Sequence, residues 1–302
     1  YGLSVIKEKL LLTGANGQLG HTFAQFFARS DLTNKYELQK IDIEEVDFTD
    51  SQSILSALSF YNPSTIINCG AYTAVDQAEK NEKLARKIND EAVAKMADWS
   101  HEKKSRLIQI STDFVFDGIK KSPYLPDDAT NPLGVYGRTK LAGEKHILNH
   151  SGSGGVVLRT SWLYSEFCGN FVKTMLRLMK GKNELKVVND QIGSPTSTHS
   201  LVGLLFRIIN SRPISGVFHW CDGAEISWYD FAIEIQKQAF DKGILRSKIP
   251  IRAVGTSVYP TLAKRPRYSV LDRSKALAEF DLEDMSWQDE LRRVIRELAH
   301  AG

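Results

Sequence analysis

The chain has 302 residues, 42% of them hydrophobic and 25% charged, which is the composition of a globular protein able to bury a substantial core. The formal net charge of +3 is too small to indicate nucleic-acid binding, although a local cationic pocket for an anionic substrate stays open. Cys69, Cys168 and Cys221 are scattered without disulfide or metal-site spacing. No apolar run reaches the roughly 20 residues that span a bilayer, and no signal peptide is evident, so we expect a cytoplasmic protein without membrane contact.

A glycine-rich turn follows the first predicted strand. Residues 9–13 form a short apolar run, after which Gly14, Gly17 and Gly20 stand at G-x-x-G-x-x-G spacing, ahead of a helix predicted over 20–29. In that order the first glycine permits a tight turn and the second lets backbone amides approach a pyrophosphate. The third lets the helix pack on the strand with its positive end toward the phosphates. The context predicts a dinucleotide site.

An acidic residue ends the second predicted strand, 37–41. Asp42 lies roughly 20 residues beyond the glycines, where a carboxylate accepts hydrogen bonds from the adenosine ribose and disfavours a 2′-phosphate. Asp42 therefore indicates a preference for NADH. Ile43 occupies the position where an arginine would favour NADPH. A single carboxylate is equally typical of a solvated surface, so both interpretations stay open. At the next turn Asp47 and Phe48 either hold the adenine edge or belong to the cap of the following helix.

The rest of the first half alternates short apolar runs with longer amphipathic ones, as parallel α/β sheets do. Predicted helices cover 51–61, 81–100 and 136–150, and predicted strands cover 65–68, 107–111 and 155–160. The pattern predicts an α/β fold with a Rossmann-like, doubly wound parallel sheet.

One constellation fits hydride transfer to a carbonyl, which needs a proton donor and a group that holds the oxygen. Tyr136 and Lys140 form Y-x-x-x-K at a predicted helix start, so they share a face, and the lysine charge favours phenolate. The spacing is not specific, because Tyr36 matches it too, in a strand that holds the pair too far apart. Ser111 and Thr112 end the preceding strand, where either hydroxyl can share the carbonyl. With the glycine loop, these residues predict an NAD(P)H-dependent reductase with Tyr136 as proton donor.

The pattern changes in the second half. Residues 113–135 are rich in proline and glycine, which predicts an irregular loop that lines the site. Beyond residue 160 aromatic residues concentrate and the alternation is lost. We predict an NAD(P)-binding Rossmann domain over 1–160, with a returning segment near 196–212. Residues 161–302 then form mainly a smaller C-terminal α/β substrate domain that shares a cleft with the first.

Motifs along nearly the whole chain are similar to those of a known family. They are TGANGQLG (13–20), INCGAYTAVDQAE (67–79), ISTDFVFDG (110–118), YGRTKLAGE (136–144), LRTSWLY (158–164), VVNDQIGSPT (187–196), HWCDGAEISWYDFA (219–232) and KRPRYSVLD (264–272). The glycine loop and Y-x-x-x-K are shared by short-chain dehydrogenases/reductases in general, whereas the A-Y-T-A-V-D, N-D-Q-x-G-S-P-T and R-P runs are narrower. On these motifs the chain resembles the extended short-chain dehydrogenases/reductases, and among them the dTDP-4-dehydrorhamnose reductase family.

The resemblance implies reduction of the C4 ketone of dTDP-4-dehydro-L-rhamnose to dTDP-L-rhamnose with NADH or NADPH, in dTDP-rhamnose and O-antigen biosynthesis. Thr112 takes the serine role of the wider superfamily, and Tyr136 and Lys140 keep theirs. Together with the motifs above, the cofactor set comprises Gly14, Asn16, Gly17, Gln18, Leu19, Gly20, Asp42, Asp47, Phe48, Gly70, Ala71, Tyr72, Thr73, Ile110, Tyr136 and Lys140. The implied dTDP-deoxysugar contacts are Val75, Thr112, Asp113, Trp162, Gln191 and Arg265.

Two of the implied sugar contacts have a second interpretation. Trp162 either packs its face on the deoxysugar or belongs to the core. Arg265 lies in a short basic run with Lys264 and Arg267, where a guanidinium fork suits diphosphate oxygens. Such runs are also typical of solvated surfaces.

Some members of the resembled family carry carboxylates for a metal at a dimer interface. At those places this chain has His21, Thr22, Thr198 and His199. We therefore expect no metal, and a monomer or weak homodimer.

Two alternatives stay open. One is a non-catalytic NAD(P)-binding regulatory subunit, because the resembled family includes the β subunit of methionine adenosyltransferase. The retained A-Y-T-A-V-D and N-D-Q-x-G-S-P runs argue against it, since a pure binding module needs no sugar pocket. The other is a reductase or epimerase of another nucleotide-linked 4-keto sugar, and an epimerase is expected to retain its nicotinamide through purification.

Overall fold

The computed structural model describes residues 6–150 and 154–300. The strands are β1 (Glu8–Thr13), β2 (Tyr36–Ile41), β3 (Thr65–Asn68), β4 (Arg106–Thr112), β5 (Val156–Thr160), β6 (Leu163–Tyr164), β7 (Leu185–Val188), β8 (Ile192–Gly193), β9 (Thr196–Ser197), β10 (Gly216–His219), β11 (Ile226–Ser227) and β12 (Ile251–Val254). The helices are α1 (Gln18–Phe27), α2 (Leu32–Lys35), α3 (Ser51–Tyr61), α4 (Val75–Ala78), α5 (Glu82–Arg86), α6 (Ala92–Lys103), α7 (Val135–Asn149), α8 (Phe171–Gly181), α9 (Thr198–Asn210), α10 (Trp228–Asp241), α11 (Ser274–Phe280) and α12 (Trp287–His300). A π-helical stretch, Lys87–Glu91, joins α5 to α6, and short 3-10 turns lie at Asp113–Val115 and Thr256–Val258.

The main sheet of the described residues has six parallel strands in the order β10-β5-β4-β3-β1-β2. β1 pairs with β2 on one side and with β3 on the other, so the direction of winding reverses there. A crevice opens at the carboxyl ends of the strands beside such a reversal, and this is where open α/β sheets bind ligands. The predicted Rossmann-like α/β fold is confirmed.

The sheet lies between two helical layers because its central strands are apolar on both faces. Leu10, Leu11 and Leu12 of β1 are all fully buried. Alternate residues of a strand point to opposite faces. Leu10 and Leu12 therefore join one core with α1 and α9, whereas Leu11 joins the other with α3 and α6. Burial on both faces is why these strands read as continuous apolar runs in the sequence.

The strands and helices predicted for the first half are confirmed to within two residues, with one exception. The helix predicted over 81–100 is divided into α5, the π-helical stretch and α6. α3 follows its prediction from Ser51 to Tyr61, because Asp50 caps its first amides and Asn62 ends it in the left-handed conformation.

Part of the second half packs on the main sheet. α9 covers one face through Leu201, Leu204 and Leu205, and β10 extends the sheet beyond the predicted returning segment. α11 also joins this core, through Ala276 and Phe280. The division at residue 160 stays a prediction.

The other elements of the second half surround a separate apolar core. It is formed by α8, α10 and α12 with the strand β7, and its members include Tyr164, Met175, Phe231 and Leu291. None of the helices in the described ranges combines the length and the apolar character needed to cross a bilayer.

Candidate active site

A cleft of about 1020 Å3 opens at the carboxyl ends of β1 to β5. Most residues predicted for the cofactor and substrate sites line it: Gly14, Asn16, Gly17, Gln18, Leu19, Gly20, Asp42, Asp47, Phe48, Gly70, Ala71, Thr73, Val75, Ile110, Thr112, Asp113, Tyr136, Lys140 and Trp162. Tyr72, Gln191 and Arg265 are not part of the lining. Of the predicted 113–135 loop, only its first residues, Asp113 and Phe114, reach the cleft.

The glycine loop has the shape that a dinucleotide pyrophosphate needs. Gly14 has φ +63°, and a Cβ there would lie 2.6 Å from the Gly70 nitrogen. A Cβ on Gly20 would collide with the Gly14 carbonyl oxygen. Gly17 is the N-cap of α1 and makes no side-chain cap bond. The first amides of α1 therefore face the cleft without a side-chain cap, in the arrangement that binds anions.

Asp42 holds the glycine loop against the end of β2. Its Oδ2 accepts a hydrogen bond from the Asn16 amide at 2.7 Å, and its Oδ1 accepts one from the Ile43 amide at 2.8 Å. The carboxylate thus has a local structural role that the sequence did not reveal, and its role toward a ribose stays a prediction. The side chain of Asn16 extends the loop contact to Glu44, at 3.1 Å.

Tyr136, Lys140 and Thr112 come together in the cleft. Thr112 is the last residue of β4, and α7 presents Tyr136 and Lys140 one turn apart. α7 approaches the turn after β4 because Gly137 has no side chain, since a Cβ there would collide with the Phe114 carbonyl oxygen. The sequence therefore brings the tyrosine to the strand end by combining a helix start with a close-packing glycine.

The pKa of Tyr136 differs from the expectation. Burial raises it to about 12, the Asp113 carboxylate adds to this, and the Thr112 hydroxyl opposes it. The expected lowering by Lys140 was wrong for this arrangement. The Lys140 ammonium instead donates a hydrogen bond to the Ile110 carbonyl oxygen at 2.7 Å. Tyr136 is consequently protonated at neutral pH.

Two further groups in the cleft have shifted pKa values. Burial lowers the pKa of Lys140 to about 8, although Glu144 and Cys69 raise it. Burial raises the pKa of Asp113 to about 6, against hydrogen bonds from Ser269 and Thr112. Both directions follow from loss of hydration of the charged form.

A buried ion pair lies beneath these residues. Arg159 of β5 contacts Glu144 of α7 at 2.7 Å, and their side chains are only 4% and 1% exposed. Glu144 also accepts a hydrogen bond from the Ser111 hydroxyl. Arg159 donates to the Pro126 carbonyl oxygen at 3.1 Å, and its other neighbour is His219, at 3.4 Å. The network joins α7, β4 and β5 at the level of the cleft.

His219 gives the network a pH dependence. Burial, and then the Arg159 charge, lower the pKa of His219 to about 3. Between about pH 3 and pH 6.5 the folded protein therefore binds fewer protons than the unfolded chain, so stability falls as pH falls through 6.5. We expect wild type to lose about 1.4 kcal/mol more per pH unit below 6.5 than His219→Gln. Urea unfolding of both proteins at several pH values measures this, and equal pH slopes would contradict it.

Asn89 is a site residue that the sequence reasoning missed. It lies in the π-helical stretch and is 1% exposed. Its Oδ1 accepts from the Tyr72 amide at 2.9 Å, and its Nδ2 donates to the Tyr72 carbonyl at 3.1 Å and to Thr139 Oγ1 at 3.1 Å. It thereby ties the chain after β3 to the turn of α7 that carries Lys140. In the sequence, Asn89 is visible only as an amide residue within a predicted helix. The structure places it in a π-helical turn, and such turns are frequent at functional sites.

Trp162 is held rigidly at the cleft. It has φ +47°, in the left-handed region, and its ring stacks on Trp228 with centroids 3.5 Å apart. A Cβ on Gly193 would lie 2.6 Å from the indole. The indole packs against the second core and also lines the cleft, where its contact with a deoxysugar stays a prediction.

The three predicted residues outside the lining have other partners. Tyr72 packs in a small apolar cluster beside Tyr136. Gln191 donates a hydrogen bond to Thr256 at 3.0 Å. Arg265 pairs with Asp76 at 2.8 Å, next in sequence to a residue that lines the cleft.

The positions at which the resemblance implied metal carboxylates in some family members have hydroxyl and imidazole side chains here. Thr22 and Thr198 share a hydrogen bond of 2.7 Å, and His199 contacts Glu166 at 3.0 Å. The described residues contain no group of three or more histidine, cysteine or carboxylate side chains suited to a metal ion.

Comparison with known proteins identifies the family. The family model described as the RmlD substrate binding domain matches residues 8–300. The dTDP-4-dehydrorhamnose reductase of Aggregatibacter actinomycetemcomitans is 38% identical over 95% of this chain and 98% of its own length. The spore coat polysaccharide biosynthesis protein SpsK of Bacillus subtilis is 33% identical over 97% of this chain and 99% of its own.

Solved structures agree. The dTDP-4-dehydrorhamnose reductase of Bacillus anthracis in complex with NADP superposes with a TM-score of 0.89 at 34% identity, covering 97% of this chain and 100% of the other. The Clostridium acetobutylicum protein of that name gives a TM-score of 0.88 at 37% identity, over 96% and 99%. The chain therefore belongs to the dTDP-4-dehydrorhamnose reductase family of NAD(P)-dependent oxidoreductases, as its motifs predict.

Proposed function

We propose that the protein reduces the C4 ketone of dTDP-4-dehydro-L-rhamnose to dTDP-L-rhamnose with NADH or NADPH, and that Tyr136 is the proton donor. The observation that carries the proposal is that Thr112, Tyr136 and Lys140 meet in one cleft with the glycine loop. The names of the relatives support the substrate. A regulatory subunit that only binds NAD(P) would not need these three side chains to meet in one cleft.

The cleft fits a dinucleotide along its length. The amides at the start of α1 suit the pyrophosphate, because a helix N-terminus attracts anions. In this proposal Asp47 and Phe48, which line the cleft, hold the adenosine of the dinucleotide, and Ala71 and Thr73, which also line it, border the nicotinamide. When bound, the dinucleotide supplies a hydride for the sugar C4.

Tyr136 is suited to supply the proton. Its raised pKa keeps the phenol protonated at neutral pH, so it can donate to the C4 oxygen as negative charge develops there. The Thr112 hydroxyl lies in the same cleft lining and is suited to share that oxygen, which orients the ketone. The Thr112 hydroxyl, which lowers the pKa of Tyr136, also stabilises the tyrosinate that the proton transfer leaves behind. Lys140 donates one hydrogen bond to the Ile110 carbonyl oxygen and has further ammonium hydrogens to offer the nicotinamide ribose. The proton passes from the phenol oxygen to the new C4 hydroxyl.

The sugar and its diphosphate meet different sides of the cleft. Asp113 offers a carboxylate to sugar hydroxyls, and Trp162 offers an apolar edge. Arg265 reaches the diphosphate only by leaving or sharing its ion pair with Asp76, which neighbours Val75 in the cleft wall. The Arg265 side chain is 29% exposed, so such an exchange needs no rearrangement of the core.

The close approach of Gly193 to Trp162 yields a test of the sugar side. We expect Gly193→Ala to displace the Trp162 indole, because the added Cβ would lie only 2.6 Å from the ring. The indole cannot move away without disturbing its stacking on Trp228. The KM for the dTDP-sugar should rise by about tenfold, or ~1.4 kcal/mol, while the Kd of NADPH changes little. Gly203→Ala is the matched control, since a Cβ there has no atom within 4 Å. An unchanged KM in Gly193→Ala would remove Trp162 from the sugar site.

An assay with both cofactors tests the function itself. Purified protein with dTDP-4-dehydro-L-rhamnose should oxidise NADH or NADPH, followed by absorbance, and comparison of the two cofactors tests whether Asp42 and Ile43 favour NADH. Absence of oxidation with either cofactor would overturn the proposal. In that case stable capture of a partner protein would favour a regulatory subunit, and a nicotinamide retained through purification would favour an epimerase.

A further inference from the structure

A short segment of the C-terminal half crosses the cleft beside the glycine loop. Residues 165–170 connect β6 to α8, and Cys168, Gly169 and Asn170 line the cleft. None of these positions belongs to the motifs that predicted the cofactor site. We call this stretch the 165–170 segment.

The 165–170 segment is bonded to the loop that faces the pyrophosphate. The side-chain oxygen of Gln18 accepts one hydrogen bond from the Ser165 hydroxyl and one from the Asn170 amide, each of 3.0 Å. The Cys168 thiol donates to the Asn16 carbonyl oxygen at 3.4 Å. Gln18 is the first residue of α1, whose N-cap is Gly17. The side-chain partners of Gln18 thus come from a segment about 150 residues away in sequence.

Contacts with α1, α8 and α9 hold the 165–170 segment in place. Glu166 contacts His199 of α9 at 3.0 Å, and Phe167 stacks on His21 of α1 with ring centroids 5.2 Å apart. Asn170 is the N-cap of α8, because its Oδ1 accepts from the Lys173 amide at 3.1 Å. Asn170 therefore uses its oxygen for α8, and its amide both for Gln18 and for the carbonyl oxygens of Ser165, at 2.8 Å, and Phe167, at 3.4 Å. One side chain joins the helix that faces the pyrophosphate to a helix of the second core.

We propose that Asn170 is a positioning residue for cofactor binding: with Ser165 it holds Gln18 so that the backbone amides at the start of α1 face the dinucleotide pyrophosphate. The inference deepens the proposed function and rests on it only in that the ligand of the glycine loop is a dinucleotide. The C-terminal half thereby contributes to the cofactor site as well as to the sugar site. The effect passes through Gln18, so Asn170 itself need not touch the cofactor.

The test separates the two roles of Asn170. Serine also caps helices, so Asn170→Ser keeps the cap of α8 but is too short to reach Gln18. Losing a neutral hydrogen bond to a positioned group should raise the Kd of NADPH by about three- to tenfold. We expect at least as large a rise in Gln18→Met, which loses the Ser165 bond as well. The double variant should bind NADPH no more weakly than Gln18→Met, because Gln18→Met already removes the contact with Asn170. In Asn170→Ser the KM for NADPH should rise more than kcat at saturating cofactor falls, as expected for a residue that positions the binding site. Asn170→Ala should lower Tm further than Asn170→Ser does, because it also removes the cap of α8.

Titration of NADPH fluorescence with each purified variant, without sugar, gives the Kd. An unchanged Kd in Asn170→Ser would overturn the proposal, and so would losses that multiply in the double variant, since Asn170 would then act independently of Gln18. The binding experiment involves no turnover. If the variants behave as expected but the dTDP-sugar is not reduced, the inference stands and the proposed function fails.

Discussion

Replacing Tyr136 with phenylalanine is expected to lower kcat by about 10²- to 10⁴-fold, the usual contribution of a positioned general acid. Phenylalanine keeps the ring that packs against Phe114 and removes only the hydroxyl. The Kd of NADPH and the Tm should therefore stay close to wild type. Steady-state kinetics with the dTDP-sugar, together with NADPH titration and thermal unfolding, measure the three quantities.

The chain offers a matched control for this substitution. Tyr36 has the same Y-x-x-x-K spacing but lies in β2, where it is buried in the core and absent from the cleft lining. Tyr36→Phe should leave kcat within about twofold of wild type, because the hydroxyl that it removes lies outside the cleft lining. If Tyr136→Phe turned over substrate as fast as Tyr36→Phe, the proton would have to come from another group.

The second large effect concerns stability. Arg159→Met should lower the free energy of unfolding by about 3–5 kcal/mol, because it leaves the Glu144 carboxylate buried without its partner. The variant also removes the donor to the Pro126 carbonyl oxygen. Urea unfolding monitored by tryptophan fluorescence gives the value. Activity should fall as well, since Glu144 also holds Ser111 next to Thr112.

Arg292→Met provides the comparison for an exposed pair. Arg292 contacts Asp289 on α12, with both side chains more than half exposed, and such pairs contribute about 0–1 kcal/mol. A loss in Arg159→Met no larger than in Arg292→Met would show that the buried pair contributes little. The cleft would then be supported mainly by apolar packing.

The first half of the fold was predictable because its signals are local. Short apolar runs bounded by turns became the strands, and α3 carries its own cap and stop residues. The second half depends on distant partners. β8 and β11 have two residues each and pair with one another although residues 194–225 lie between them, so neither strand has a recognisable sequence pattern. Pairing of this kind is decided by tertiary packing.

The same division holds for the cleft. Its glycine loop and the Y-x-x-x-K pair are contiguous motifs, and the structure places them together. Asn89 and Asn170 went unnoticed because their partners lie 17 and 152 residues away. The direction of the Tyr136 pKa shift was wrong because spacing reports which residues are near, and not how deeply they are buried or where Lys140 donates. Arg265 has a partner, Asp76, that its basic run did not suggest.

Following the hydride from the nicotinamide ring to the sugar is the most direct test that the protein reduces the C4 ketone with Tyr136 as proton donor. The protein is incubated with dTDP-4-dehydro-L-rhamnose and NADPH that carries deuterium at the transferable position of the nicotinamide ring, and the product is examined by mass spectrometry and NMR. We expect wild type to form dTDP-L-rhamnose with one deuterium on C4 of the sugar, and we expect this product to be nearly absent with Tyr136→Phe. Recovery of the keto sugar without deuterium, beside unoxidised cofactor, would contradict the proposed function.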